Sequence, residues 1–186
     1  MTYAIPTKWN GVQFRSRLEA RWAAFFTAIG WPWSYEPIDL QGYIPDFLLH
    51  LHEDVLVEVK PFTRFEDDVI ADAHTKIRES GWGGGTPWRE GEPSGSDAIV
   101  VGARIFDGPS DSFSFGALGW NDHAVLGICE QCLKPSFSSD VHSYHCRVCG
   151  LNTGNWPCFV GRIEARKRVF GAWNEAGNAV QWRRRK

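Results

Sequence analysis

No apolar run in this chain approaches the roughly 20 residues needed to cross a bilayer, so a membrane-spanning protein is not expected. The opening residues, MTYAIPTKWNG, lack the apolar stretch of a secretory signal. A cytoplasmic location follows as the expectation, and there thiols stay reduced. Cysteine is scarce, five among 186 residues. In such surroundings those five read as metal ligands or buried thiols before disulfides. No internal repeat is visible, and net charge is nearly absent at −2. What the chain has in plenty is apolar and aromatic surface, 43% and 14% with 10 Trp, which points to a folded globular protein rather than a disordered one. Its length suffices for a core without covalent staples.

The small net charge hides an asymmetry. Residues 1–125 hold 10 Lys and Arg against 18 Asp and Glu, a net of −8. Residues 126–186 hold 10 against 4, a net of +6. An acidic part that collects cations and a basic part that meets phosphate would look like this. Two solvated surfaces of opposite sign would look the same.

Periodicity predicts a helix over Ser16–Ile29, with Leu18, Trp22, Phe25 and Ile29 at helical spacing, Ser16 as N-cap and Gly30 with Pro32 as the stop. Strand-like runs follow at Ser34–Pro37, Ile44–Leu49 and Val55–Lys60, the last two joined by a short polar turn. Glu66–Glu79 reads as a helix with Val69, Ile70, Ala73 and Ile77 on one face, and Gly81–Gly95 as a loop rich in Gly and Pro. Asp97–Phe106 and Ala124–Ile128 read as strands, and Gly161–Glu175 as a helix. Helix, strands, helix, strand is the order of a mixed α/β sheet.

Within this frame, Asp46 in YIPDF and Glu58 with Lys60 in VEVK form a constellation. A hairpin symmetric about His52 sets Asp46 opposite Glu58, and Lys60 shares the face of Glu58 because strand side chains alternate. Two close carboxylates repel each other, and a divalent cation relieves them. Hard oxygen ligands suit magnesium or manganese. The apolar neighbours Leu56, Val57 and Val59 suggest a central strand, where charge without purpose is costly. A cross-strand ion pair on a solvated face is the plain alternative.

A helix carrying Glu19, then Pro45-Asp46, then Glu58-x-Lys60 after a hairpin resembles the PD-(D/E)XK nuclease superfamily over roughly residues 9–106. The wording GVQFRSRLEARWAAFF, WSYEP, GYIPDFLL and VEVK is similar to small phage and actinobacterial members. The resemblance implies a restriction-endonuclease-like mixed sheet flanked by helices. It also implies Asp46 as bridging metal ligand, Glu58 as second ligand, the Val59 carbonyl as a third and Lys60 as the catalytic lysine. Glu19 matches an additional acidic residue of the family. Glu19 also completes an S-x-x-E capping box with Ser16, and a salt bridge to Arg15 is a further ordinary role for it. Arg15 and Arg17 are candidates for phosphate contact, with plain solvation near a helix start as the alternative. His50, His52 and His74 show no ligand spacing, and His52 in the turn is expected in solvent.

Cys129-x-x-Cys132 and Cys146-x-x-Cys149-Gly150, thirteen residues apart, offer four thiolates for tetrahedral zinc, in spacing that resembles a zinc ribbon. Such a closed set is structural. His145 is an unneeded substitute ligand, and Cys158 is left over as a small buried hydrophobe.

The expected organisation is a nuclease core at 1–125, a zinc ribbon at 126–158 and a basic C-terminal helix and tail at 159–186. The expected activity is metal-dependent hydrolysis of DNA phosphodiesters by an endonuclease, with recombination, repair or junction and end cleavage as its setting in a phage or its bacterial host. A catalytically silent nuclease-fold module that binds DNA or recruits a partner is the rival. DNA is the expected partner, with a homodimer and a phage or recombination protein as further candidates. Arg162, Arg166, Lys167, Arg168, Arg183, Arg184, Arg185 and Lys186 are the candidate phosphate ligands, and Tyr144, Trp156 and Trp182 candidate stacking residues. Deleting Arg183–Lys186 should weaken DNA binding and flatten its salt dependence, by about 0.9 in logarithmic slope for each phosphate no longer neutralised. Binding isotherms at several salt concentrations check this.

Overall fold

The computed structural model describes residues 4–65, 67–82, 97–107, 113–118, 122–139, 145–152, 159–160 and 162–181, the side chains of 67, 159–160 and 162–163 aside. Two short strands, β1 (Thr7–Trp9) and β2 (Val12–Phe14), form a hairpin that periodicity does not predict. Its turn is Asn10-Gly11, both at positive φ (46° and 83°), the chemistry that two-residue hairpin turns require. Helix α1 (Arg17–Ile29) starts where expected, because Ser16 Oγ accepts the Glu19 amide. It ends at Gly30 in the left-handed conformation, φ 78°, with the Gly30 amide returned to the last turn.

Strands β3 (Trp33–Tyr35), β4 (Phe47–His50) and β5 (Asp54–Val59) run antiparallel in sequence order. Helix α2 (Asp67–Glu79) then crosses over to β6 (Ala98–Asp107), which lies parallel to β5. Next come β7 (Phe113–Ala117), β8 (His123–Cys129), β9 (Pro135–Ser139), β10 (Phe159–Val160) and α3 (Arg162–Ala179). The main sheet is mixed and eight-stranded, in order β10-β8-β7-β6-β5-β4-β3 with β9 also paired to β8. It continues without a break through residues 125 and 126, since β8 is a strand of the sheet and also ends in Cys129. No described helix is long and apolar enough to cross a membrane.

The alternation of β5 explains the layers. Val55 and Val57 join one core cluster with Trp22, Phe25 and Phe26 of α1 and Val169 and Trp173 of α3. Leu56 joins the other, with Ile70, Ala73 and Ile77 of α2. By the same alternation Glu58 and Lys60 belong to the α2 side. Helix α3 packs on α1 through Ala165, Val169, Ala172, Trp173 and Ala176, spaced mostly three and four apart, with Trp173 centred 4.5 Å from Trp22.

The antiparallel strand β9 leaves no mark in the hydrophobic pattern, for a physical reason. Its PSFSS buries Ser136, Ser138 and Ser139 almost as completely as Phe137, so hydrophobicity gives no signal there. Gly116 shows how tightly β6 and β7 approach. A Cβ at that position would stand 2.5 Å from the Val100 carbonyl oxygen, a backbone atom with no freedom to yield. Gly116→Ala is expected to lower stability by about 1–3 kcal/mol, the usual scale for overpacking. A denaturant titration with an unchanged slope would show that loss directly.

Candidate active site and metal centre

The β4–β5 register pairs Phe47 with Val57, Leu48 with Leu56, Leu49 with Val55 and His50 with Asp54. Every pair is symmetric about residue 52, so one further step sets Asp46 opposite Glu58. Asp46 itself lies just before β4, and Ile44 is exposed rather than part of the strand. Its Oδ2 accepts the Val59 amide at 2.7 Å, and its Oδ1 accepts Arg15 Nη2 at 2.6 Å. Arg15 Nε reaches Glu36 Oε1 at 2.8 Å.

Glu58 is held by Lys60 Nζ on Oε1 at 2.6 Å and by the Tyr43 hydroxyl on Oε2 at 2.5 Å. Tyr43 is presented by a tight turn, where Leu40 and Tyr43 exchange backbone hydrogen bonds around Gly42. Glu19 is buried on α1, and its Oε2 accepts the Tyr35 hydroxyl at 2.6 Å and the Arg15 amide at 3.2 Å. The capping box is therefore half formed: Ser16 caps Glu19, while Glu19 reaches back one residue too far, to Arg15. The contact with Arg15 is to its backbone, and no Arg15–Glu19 ion pair forms among the described residues.

Asp46, Glu58 and Glu19 are 5%, 7% and 7% exposed, so all three carboxylates are withdrawn from water. Burial pushes the Asp46 carboxyl up to about 7, and the charges of Glu58 and Glu19 add to this against the Val59 amide and Arg15. Burial and the neighbouring Glu58 likewise push the Tyr43 hydroxyl well up, so it stays a donor. The arrangement brings together Asp46, Glu58 and Lys60 with the Val59 backbone, and sets Glu19 near enough to act on Asp46 electrostatically. Sequence reasoning passes over Tyr35, Glu36 and Tyr43. Tyr43 stands three residues before Asp46, and its burial beside Glu58 is set by a turn that no periodicity marks.

The basic candidates divide. Arg166, Lys167 and Arg168 are exposed on the outward side of α3, which covers the α1 face of the sheet, whereas Glu58 and Lys60 face α2. The Arg162 side chain, Tyr144, Trp156, Cys158, Trp182, Arg183, Arg184, Arg185 and Lys186 lie outside the described residues, as does the expected loop from residue 83 onward. His74 is buried and bonds its Nε2 to the Ala117 carbonyl. His52 is exposed, as expected, though its ring lies against Gly150, the residue after Cys149.

Cys129, Cys132, Cys146 and Cys149 bring their Sγ atoms within 4.8 Å of one another. Among the described residues this is the only group of three or more Cys, His, Asp or Glu that does so. The separations Cys129–Cys149, 3.7 Å, and Cys132–Cys146, 3.9 Å, are far too long for a disulfide of about 2.05 Å. They match the edge of about 3.8 Å that a tetrahedron with metal–sulfur bonds of about 2.3 Å requires. The group can hold a structural metal such as zinc.

Both knuckles have one design. The first cysteine donates its amide five residues ahead, to Lys134 or Leu151, and accepts four ahead, from Leu133 or Gly150. That fourth residue is left-handed in each, φ 55° at Leu133 and 75° at Gly150. Burial pushes the Cys129 thiol up, but the amides of Cys132 and Gln131 and the neighbouring thiols bring it down to about 7.

The second knuckle is seated on the β4–β5 turn. The His52 amide donates to the Arg147 carbonyl, and Gly150 lies so close under the His52 ring that a Cβ would meet its Nε2 at 2.5 Å. Arg147, 2% exposed, donates from Nε to Asp97 Oδ2 at the start of β6. The carboxylates and the cysteine cluster thus occupy opposite ends of one hairpin, about 20 Å apart at about 3.4 Å per residue.

Two outcomes follow. The raised ionisation of Asp46 gives a stability contribution that is fully present below about pH 4 and is lost as pH rises through about 7. Asp46→Asn should therefore raise the melting temperature of protein freed of divalent cations at pH 8, with the gain vanishing near pH 4. Elemental analysis of freshly purified protein should find about one zinc per chain, and Cys149→Ser should lose it together with several degrees of thermal stability.

Comparison with protein-family models, with curated proteins and with solved structures finds no match to this chain.

Proposed function

We propose that the protein is a metal-dependent DNA nuclease whose working residues are Asp46, Glu58 and Lys60, with zinc in the cysteine cluster as a structural element. The observation that carries this reading is the β4–β5 register, which sets Asp46 against Glu58 with Lys60 Nζ 2.6 Å from the latter. The order of elements supports it: a helix bearing Glu19, a hairpin with Asp46 and Glu58 on facing strands, a crossover helix and a fourth strand. That is the order of the sequence resemblance to the PD-(D/E)XK nucleases.

The donor set suits magnesium or manganese, since buried carboxylates that resist joint ionisation are the groups a divalent cation relieves. Such an ion supplies charge that activates water and neutralises the phosphate. The chain's own residues do the rest. Asp46 Oδ2 is fixed by the Val59 amide, so its Oδ1, now on the exposed Arg15, is the oxygen free to change partner. Glu58 is oriented by Tyr43, which leaves the Oε1–Lys60 contact as the one to exchange. Lys60 released from Glu58 brings its positive charge to the attacked phosphate. Glu19, locked by Tyr35, adds negative charge next to Asp46.

One observation favours the second reading, a catalytically silent binding module. The oxygens of Glu19, Asp46 and Glu58 do not gather as closely as the cysteine sulfurs, and each of the three carboxylates is engaged by a protein donor. Purified protein incubated with plasmid, linear and branched DNA separates the two. The nuclease reading expects cleavage with magnesium and none with EDTA. Lys60→Ala should cut at least about 100-fold more slowly, the lower end for removal of one charge-stabilising group, while binding DNA nearly as tightly as wild type. Binding without cleavage under every metal condition would establish the silent module instead.

A further inference from the structure

Arg17 and Arg21 stand four residues apart on α1 and share one side of it, while Glu19, two residues from each, points nearly the opposite way. Facing the two arginines, the C-terminal part of α3 and the residues after it present Asn174, Asn178 and Gln181. Helices α1 and α3, with Ala103 of β6, bound an open cleft of about 640 Å³ there. Among the described residues no carboxylate lines it. Among the same residues neither arginine pairs with an acid, although the first 125 residues carry a net charge of −8.

Arg21 is held in place with care. Its guanidinium lies 3.8 Å from the centre of the Trp173 ring, and Nη2 donates to the Trp173 carbonyl at 3.1 Å. Gly177 stands one turn further along α3, where a Cβ would come within 3.1–3.2 Å of the guanidinium. Glycine inside a helix is less favourable than alanine, so Gly177 keeps room for the arginine at the expense of the helix. Burial lowers the Arg21 pKa with no acid to offset it, and its buried Nε–H has no acceptor among the described residues. Stacking on Trp173 explains where the cation sits. It does not explain why two arginines, two asparagines and a glutamine line one cleft that, among the described residues, has no carboxylate.

We propose that this cleft binds a phosphate group, held by the guanidinium groups of Arg17 and Arg21 and by the side-chain amides of Asn174, Asn178 and Gln181. Planar guanidinium forks match phosphate oxygens in pairs, and neutral amides add donors without competing charge. The phosphate comes either from a nucleic-acid strand, in which case the site rests on the nuclease reading above, or from a free phosphate ester. In both cases the cleft lies on the far side of α1 from Glu19 and is not the cleavage site.

Calorimetric titration of the full-length, zinc-replete protein at constant ionic strength tests this, with inorganic phosphate, adenosine monophosphate and a short single-stranded oligonucleotide as probes. Inorganic phosphate should bind the wild-type protein. Arg21→Gln should weaken it about tenfold, the effect of losing one charge-assisted hydrogen bond. Because that change also removes the stack on Trp173, Gly177→Ala is the second variant. It keeps every charge and favours the helix, yet crowds the guanidinium, and it should weaken phosphate binding without lowering the melting temperature. Competition between oligonucleotide and phosphate identifies a strand phosphate as the natural occupant; binding of both without competition identifies a free ester. Asp46→Asn should leave phosphate binding intact, so failure of the nuclease reading and failure of the cleft are separate results. The proposal is overturned if phosphate does not bind the wild-type protein, or if its affinity is unchanged in both cleft variants.

Discussion

The β4–β5 hairpin is the constraint on which the rest of the structure depends. Its register decides which side chains share a face, and a slip of one residue would move Glu58 from the α2 side of the sheet to the α1 side. Central position in the sheet fixes that register from both flanks, antiparallel to β4 and parallel to β6. At the turn, the cysteine knuckle adds a clasp that the strands alone do not have. His52 bonds to Arg147, Gly150 fits under the His52 ring, and Arg147 ties the knuckle to Asp97 beside β6. Removing one partner of so buried an ion pair costs about 3–5 kcal/mol, which makes Arg147 part of the hairpin's support rather than surface decoration. A metal among the four thiols would therefore brace the strand pair that carries the carboxylates, from a distance of about 20 Å.

At the other end the same hairpin holds a conflict of charges. Three buried acids, Glu19, Asp46 and Glu58, are balanced by Arg15 and Lys60, and the exposed side chain of Arg15 is shared with Glu36. The tyrosines settle part of the conflict, each fixing one carboxylate by donating a hydroxyl. Burial first, and then the charges of Glu58 and Glu19, push the Asp46 carboxyl up to about 7. Perturbed ionisation of this kind occurs at working sites and in structural ion-pair networks alike.

Much of this is legible in the sequence, and the limits have causes. Helix α1 is readable to within a residue because its cap, its stop and its apolar stripe agree. The pairing of Asp46 with Glu58 is readable because the turn between them is short and symmetric. The Asn10-Gly11 hairpin carries a strong local signal in its turn residues, while β7 and β9 carry little, since small and hydroxylated residues are buried there. The cysteine spacing announces a four-thiol site but not its seat on the β4–β5 turn, which depends on Arg147 and Asp97, fifty residues apart. Tyr35 and Tyr43 are invisible because only the folded chain brings their hydroxyls to Glu19 and Glu58.

The central claim is that Asp46 and Glu58 together hold a divalent cation. Electron paramagnetic resonance of manganese(II) titrated into the zinc-replete protein tests it most directly, because bound and free ion are counted without any assay of cleavage. The account predicts one manganese per chain held at near-neutral pH, and its loss in both Asp46→Asn and Glu58→Gln. Manganese that stays free in the wild-type protein, or binds equally well in both variants, would contradict it.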